Sequence, residues 1–169
     1  MTAVQGPDGR EDRLNRMMLT HERDVLRLCI MILHDVQLAQ DAVQETFLKA
    51  YRKLDGFRGE ASEKTWLMRI AVNTCRDMRR GGWFRHVDAA TSIDDLPLPV
   101  APPSAEHIAL TTAIMGLNVK HREVVLLHCD QGLTIRETAK ALGISAPAVM
   151  NRLKRARAAL AAALGEEDA

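Results

Sequence analysis

The stretch Thr134–Arg157 reads TIRETAKALGISAPAVMNRLKRAR, and four of its last seven residues are cations. Thr134 and Glu137 stand at the spacing of a capping box, in which hydroxyl and carboxylate each bond the other residue's amide. Gly143 can take the left-handed cap conformation. Ser145 is a good N-cap and Pro147 suits the first turn of the helix after it. Two short helices, Ile135–Leu142 and one following Ser145, form a helix-turn-helix pattern. On the second helix Val149, Leu153, Ala156 and Leu160 share an apolar stripe. Opposite it lie Pro147, Asn151, Lys154 and Arg155, flanked by Arg152 and Arg157, so the outer face either offers cations to phosphates and short side chains to base edges or is the solvated basic face of an ordinary helical hairpin.

Two further constellations stand in the first half. In AQDAVQETFLKAYRKL, the residues Asp41, Gln44, Glu45 and Leu48 recur at i, i+3, i+4 and i+7, opposite an apolar stripe of Val43, Phe47, Ala50 and Leu54. An acidic, amide-bearing line ending in leucine is either a solvated face or a docking surface for another protein's helices. In EKTWLMRIAVNTCRDMRR, Leu67, Ile70, Ala71, Thr74 and Met78 face inward. Thr65, Arg69, Asn73, Arg76 and Arg80 line the outer face, with Trp66 at its flank. Arginine pairs with phosphate and an exposed tryptophan stacks on an unpaired base. Alternatively, Trp66 belongs to the core and the arginines solubilise the helix.

No Ser/His/Asp arrangement, paired carboxylates or glycine-rich phosphate loop stands out, so no catalysis and no cofactor are expected. The three cysteines, Cys29, Cys75 and Cys129, are widely spaced without a CxxC, and the histidines show no ligand spacing. A disulfide framework and a metal site are therefore not expected, and a reduced, cytoplasmic setting is. No apolar run approaches the ~20 residues of a membrane span. Net charge is +1, so any electropositive surface must be local.

The elements that must position these groups are helices. The 169 residues are 47% apolar and only 4% aromatic, with Ala, Leu, Met and Arg frequent. Residues 1–12 read as a disordered polar tail. A helix runs from about Leu14 to Leu33, a second over Val36–Leu54 after a cap at Asp35, and a third over Glu63–Arg80 capped by Ser62. Residues 82–104, which hold most of the prolines, read as an interdomain linker. Its Trp83, Phe84, Ile93, Leu96 and Leu98 are candidates to dock elsewhere. Residues 105–165 form a second helical unit, opening with Ile108, Leu110, Ile114 and Leu117 and continuing through VKHREVVLLHCDQG. The expected fold is all-α: two small helical domains, 13–81 and 105–165, joined by a flexible linker, the C-terminal one with the helix-turn-helix.

In this order and spacing, DAVQETFLKAYRKLDGFRGEASEKTWLMRIAVNTCRDMRR followed by HREVVLLHCDQGLTIRETAKALGISAPAVMNRLKRARAAL resembles the extracytoplasmic-function (ECF) sigma factors of bacteria. The resemblance covers Leu14–Arg80 and Ile108–Leu160. It implies binding to core RNA polymerase, with Asp41, Gln44, Glu45, Thr46, Phe47 and Leu48 in the segment that docks on the largest subunit's coiled coil; Phe47 is expected to pack inward. It gives the opened minus-ten element to Phe57, Arg58, Lys64, Trp66, Arg69, Asn73, Arg76, Arg79 and Arg80. It gives the duplex minus-thirty-five element to Thr134, Ser145, Pro147, Asn151, Arg152, Lys154 and Arg155. It also implies control by an anti-sigma factor, and no direct membrane insertion. The chain departs from the family pattern at Glu63, Pro147, Ala148 and Met150. The alternative function is a helix-turn-helix regulator that does not bind core polymerase.

Overall fold

The computed structural model describes residues 7–81 and 104–166. Among them are seven α-helices and no strand: α1 (Pro7–Leu33), α2 (Val36–Lys53), α3 (Glu63–Arg80), α4 (Ala105–Gly116), α5 (Val119–Val124), α6 (Ile135–Leu142) and α7 (Ala146–Leu164). A 3₁₀ turn, Leu54–Gly56, closes α2, and a π-helical turn, Val125–Asp130, extends α5. The residues expected to form the linker lie outside the described residues, apart from Ser104.

Local signals place most helix ends. Asp35 accepts from the Leu38 amide at 2.8 Å, and Ser62 from that of Thr65 at 3.1 Å. The stripe Val43, Phe47, Ala50 and Leu54 is buried, as are Leu67, Ile70, Ala71 and Thr74 of α3. Helices α1, α2 and α3 pack on one another; α7 packs on α4, α5 and α6.

The N-terminal boundary differs from expectation, since part of the supposed tail is the first turns of α1. Arg10 holds these turns down. It donates to the Tyr51 carbonyl at 2.8 Å, lies 4.8 Å from the centre of that ring, and pairs with Asp55 at 3.1 Å. These partners are remote in sequence, so the local pattern could not announce them.

The two halves share one continuous core. Helix α3 packs on α6, and α1 touches α5. At the end of α1, Leu28, Cys29, Ile30, Met31, Ile32 and Leu33 are all buried, although they point in every direction around the helix. Arg122 is buried at this junction. Its Nη1 donates to His34 Nε2 and to the Met115 carbonyl, both at 2.7 Å, and its Nη2 reaches the Ile32 carbonyl at 3.4 Å. Burial, then the nearby charges of Arg122 and Arg79, lower the His34 pKa to about 4. Burial likewise lowers Arg122 to about 10, which leaves it charged at neutral pH.

Cys29 and Cys75 are buried and free, whereas Cys129 is exposed. Hydrogen bonding with the Cys29 thiol, then burial, pushes the Cys75 thiol up, so Cys75 stays protonated.

Candidate nucleic-acid interface

Three surfaces gather the chemistry-bearing residues. On the first half, Asp41, Gln44, Glu45 and Leu48 line one groove together with Asp77 and Met78 of α3. Leu48 is 51% exposed, a large apolar group left in water at the end of an acidic row. Phe47 is buried as expected. Thr46 departs from expectation: it is fully buried and donates its hydroxyl to the Ala42 carbonyl at 2.6 Å, so it presents nothing to a partner.

The second surface surrounds Trp66. Its ring is partly buried against the core, and Phe57 lies on it with centroids 4.8 Å apart and planes tilted by 34°. Arg13 of α1 lies 5.2 Å from the centre of the Phe57 ring. Trp66 is thus both packing and surface, held by an aromatic neighbour that itself carries a cation. On one side it borders a cleft lined by Phe57, Arg58 and Arg69 of the first half and by Thr134, Arg136, Glu137 and Lys140 of the second. On the other side it borders a shelf with Arg69, Asn73, Lys49, Arg52 and Lys53. The cations Arg52 and Lys53, absent from the expected set, join it because the end of α2 lies beside α3. Lys64 pairs with Asp24 at 3.5 Å, and Arg80 is exposed.

Arg76 and Arg79 do not stand on an open face. Arg79 is half-buried, and its charge bears on His34 and Arg122. Arg76 donates from Nε and Nη2 to the two carboxylate oxygens of Glu123, at 3.1 and 2.8 Å, and from Nη1 to the Leu142 carbonyl at 3.0 Å. The packing of α3 on α6 brings these groups together, so the expected outer face of α3 is partly an internal one.

The third surface is the helix-turn-helix. The capping box is complete: the Thr134 amide donates to Glu137 Oε2 at 2.8 Å, and the Glu137 amide donates to Thr134 Oγ1 at 3.1 Å. Gly143 takes φ 66°, the left-handed conformation its place in the turn requires. Ser145 accepts from the Ala148 amide at 3.2 Å. Thr134 and Ser145 are thereby employed as caps. Pro147, Met150, Asn151, Lys154 and Arg155 are exposed along α7. Asn151, Arg152 and Arg155 line a groove with Lys120 and His121 at the start of α5. Lys120 and His121 add polar groups that the helix-turn-helix pattern alone did not include.

Among the described residues, an all-helical fold with an exposed, cation-bearing second helix of a helix-turn-helix and an arginine-bearing face beside a tryptophan is the arrangement found in DNA-reading proteins. The family models Sigma-70 region 2 and Sigma-70, region 4 match residues 17–85 and 107–160. The ECF RNA polymerase sigma factor SigM of Mycobacterium tuberculosis is 34% identical over 154 residues, which span 89% of this chain and 76% of that protein. The RNA polymerase sigma factor CarQ of Myxococcus xanthus is 31% identical over 166 residues, 94% of this chain and 93% of that one. Among solved structures, CnrH in complex with the cytosolic domain of CnrY is 27% identical, with a TM-score of 0.69 over 95% of this chain and 93% of that one. The sigma factor RpoE of Bartonella quintana, solved with the anti-sigma factor NepR, shares the fold at 24% identity, with a TM-score of 0.73 over 91% of this chain and 98% of that one. The chain belongs to the ECF RNA polymerase sigma factors, which direct the polymerase to promoters. No helix among the described residues is long and apolar enough to cross a membrane.

Proposed function

We propose that the three surfaces divide the work of promoter recognition, with no catalysis by the chain itself. The α2 groove of Asp41, Gln44, Glu45 and Leu48 docks on the coiled coil of the largest polymerase subunit. The Trp66 surface, with Phe57, Arg58, Arg69 and Asn73, captures the opened strand of the minus-ten element. The exposed side of α7, with Pro147, Asn151, Lys154 and Arg155, reads the minus-thirty-five duplex. Each site is small, and the polymerase fixes their separation, so effective concentration supplies the affinity that either half lacks.

The observation that carries this reading is the gathering of Asp41, Gln44, Glu45 and Leu48 on one exposed groove, away from the helix-turn-helix. A plain helix-turn-helix regulator has no use for it. Control by an anti-sigma factor in the cytoplasm is part of this reading, and the likeness to CnrH, solved in complex with the cytosolic domain of CnrY, supports a protein partner. Run-off transcription with core polymerase on a library of promoter fragments tests the proposal. Start sites sharing two spaced elements are expected, and Asp41→Lys with Glu45→Lys should abolish them. Absence of any polymerase-dependent transcript would sink it.

A further inference from the structure

We propose that the protein free of partners is held shut by a clasp in which Arg76 grips Glu123, and that Arg76 becomes available to nucleic acid only when the clasp opens. Glu123 is 2% exposed, so its carboxylate has lost its water and needs a full replacement. Arg76 supplies it through two parallel N–H···O bonds, the geometry in which guanidinium and carboxylate match best. The same guanidinium donates to the carbonyl of Leu142, the last residue of α6, where helical carbonyls lack partners of their own. One side chain of α3 thus holds α5 and the end of α6 together.

The residue beside Glu123 pulls the other way along the junction. Arg122 bonds His34 and the Ile32 carbonyl at the end of α1. Adjacent residues of α5 are therefore tied to α3 and to α1, and the fully buried end of α1 lies beneath them. In this arrangement the wall bearing Phe57, Trp66 and Arg69 faces Arg136 and Lys140 of α6 across a cleft of ≈ 740 Å³. The surface proposed for the opened strand is thus confronted by the helix-turn-helix, and the carboxylates of Glu60 and Glu137 stand among the cations that line the gap. The Arg76–Glu123 pair, with its carboxylate buried, holds the two walls in place.

The consequence for DNA rests on the proposed minus-ten role of the Trp66 surface; the clasp itself does not. The test uses the full chain with Cys129→Ser and fluorophores at Leu19→Cys on α1 and Ala159→Cys on α7, read by single-molecule energy transfer. The unaltered pair should give one dominant short-distance population. Glu123→Gln should raise the open-to-closed ratio by about tenfold or more, since the half-buried guanidinium of Arg76 loses its counter-charge. The affinity for a single-stranded oligonucleotide should rise with it. Arg76→Lys, which keeps the charge without the fork, should also open the chain. The double exchange Arg76→Glu with Glu123→Arg should restore the short distance. Circular dichroism separates opening from unfolding. A distance distribution unchanged in Glu123→Gln and Arg76→Lys, or a mostly open parent, overturns the clasp and leaves the sigma-factor assignment intact. Loss of polymerase docking with the distances as expected would strike only the proposed function.

Discussion

Nε2 of His34 lies 2.7 Å from Nη1 of Arg122. A guanidinium has no acceptor, so Nε2 must be the bare nitrogen of a neutral imidazole. His34 also sits at φ 57°, a left-handed conformation uncommon for a residue with a side chain. Chain geometry and hydrogen bonding together hold it beneath the second half.

A pH dependence follows. The folded pKa is about 4 against an ordinary 6.5, so between these values the unfolded chain binds a proton that the folded one refuses. The stability this contact contributes is complete above about pH 6.5 and is lost as the pH falls towards 4. His34→Asn tolerates the left-handed backbone and does not titrate. Its thermal midpoint should fall less between pH 7 and pH 5 than that of the parent, and parallel curves would refute the assignment.

Trp66 should matter to an unpaired base in proportion to its ring. Trp66→Ala should weaken capture of a single-stranded minus-ten oligonucleotide by the polymerase-bound protein about tenfold or more, within the ~1–3 kcal/mol of base–aromatic stacking. Trp66→Phe should retain most of the binding. Equal affinity for all three proteins in fluorescence anisotropy would remove Trp66 from the interface.

Leu48 separates docking from stability. It is 51% exposed, so Leu48→Glu should leave the melting temperature nearly unchanged, within about 0.5 kcal/mol. Polymerase affinity should drop by more than tenfold, as for an interface anchor worth about 2 kcal/mol. Retention of full affinity would show that α2 is a solvated face.

Thr134 is a cap before it is a contact. Thr134→Ala should cost about 1 kcal/mol and lower the melting temperature by a few degrees, whereas Thr134→Ser should cost little. A melting temperature insensitive to the alanine would mean that the capping box adds nothing to folding.

Met150 is 61% exposed on α7, near Pro147 and Asn151. Apolar groups in a major groove read the thymine methyl. Replacing thymines of the selected minus-thirty-five element by uracil, one at a time, should weaken binding of the polymerase holoenzyme at one position. Met150→Ala should erase that difference, and a parent blind to every methyl would exclude the contact.

What could be read from the residues alone was local. The bounds of α6, its capping box and the inward stripe of α2 follow from spacings of a few residues. The tie of Arg10 to Tyr51 and that of Arg76 to Glu123 join residues 41 and 47 apart, and spacing carries no such information. Arg52 and Lys53 meet Trp66 only once α2 lies beside α3. One signal was available for the junction. LCIMIL, Leu28–Leu33, is apolar at every position, which a helix covered on one side does not need. Helix α4 gave the opposite difficulty: Ile108 and Leu110 helped to mark the helix, yet both are exposed and say nothing of its packing.

The widened turn Val125–Asp130 acts on everything that comes after it. The Gln131 amide bonds the Leu126 carbonyl, five residues back, at 2.9 Å. A π-turn spends one more residue than an α-turn, about 100° of rotation. The angular bearing of α6 and α7 is therefore set by a single surplus residue. A deletion there would wind the coil tight and swing the recognition helix round, leaving each helix intact but aimed at the wrong stretch of groove.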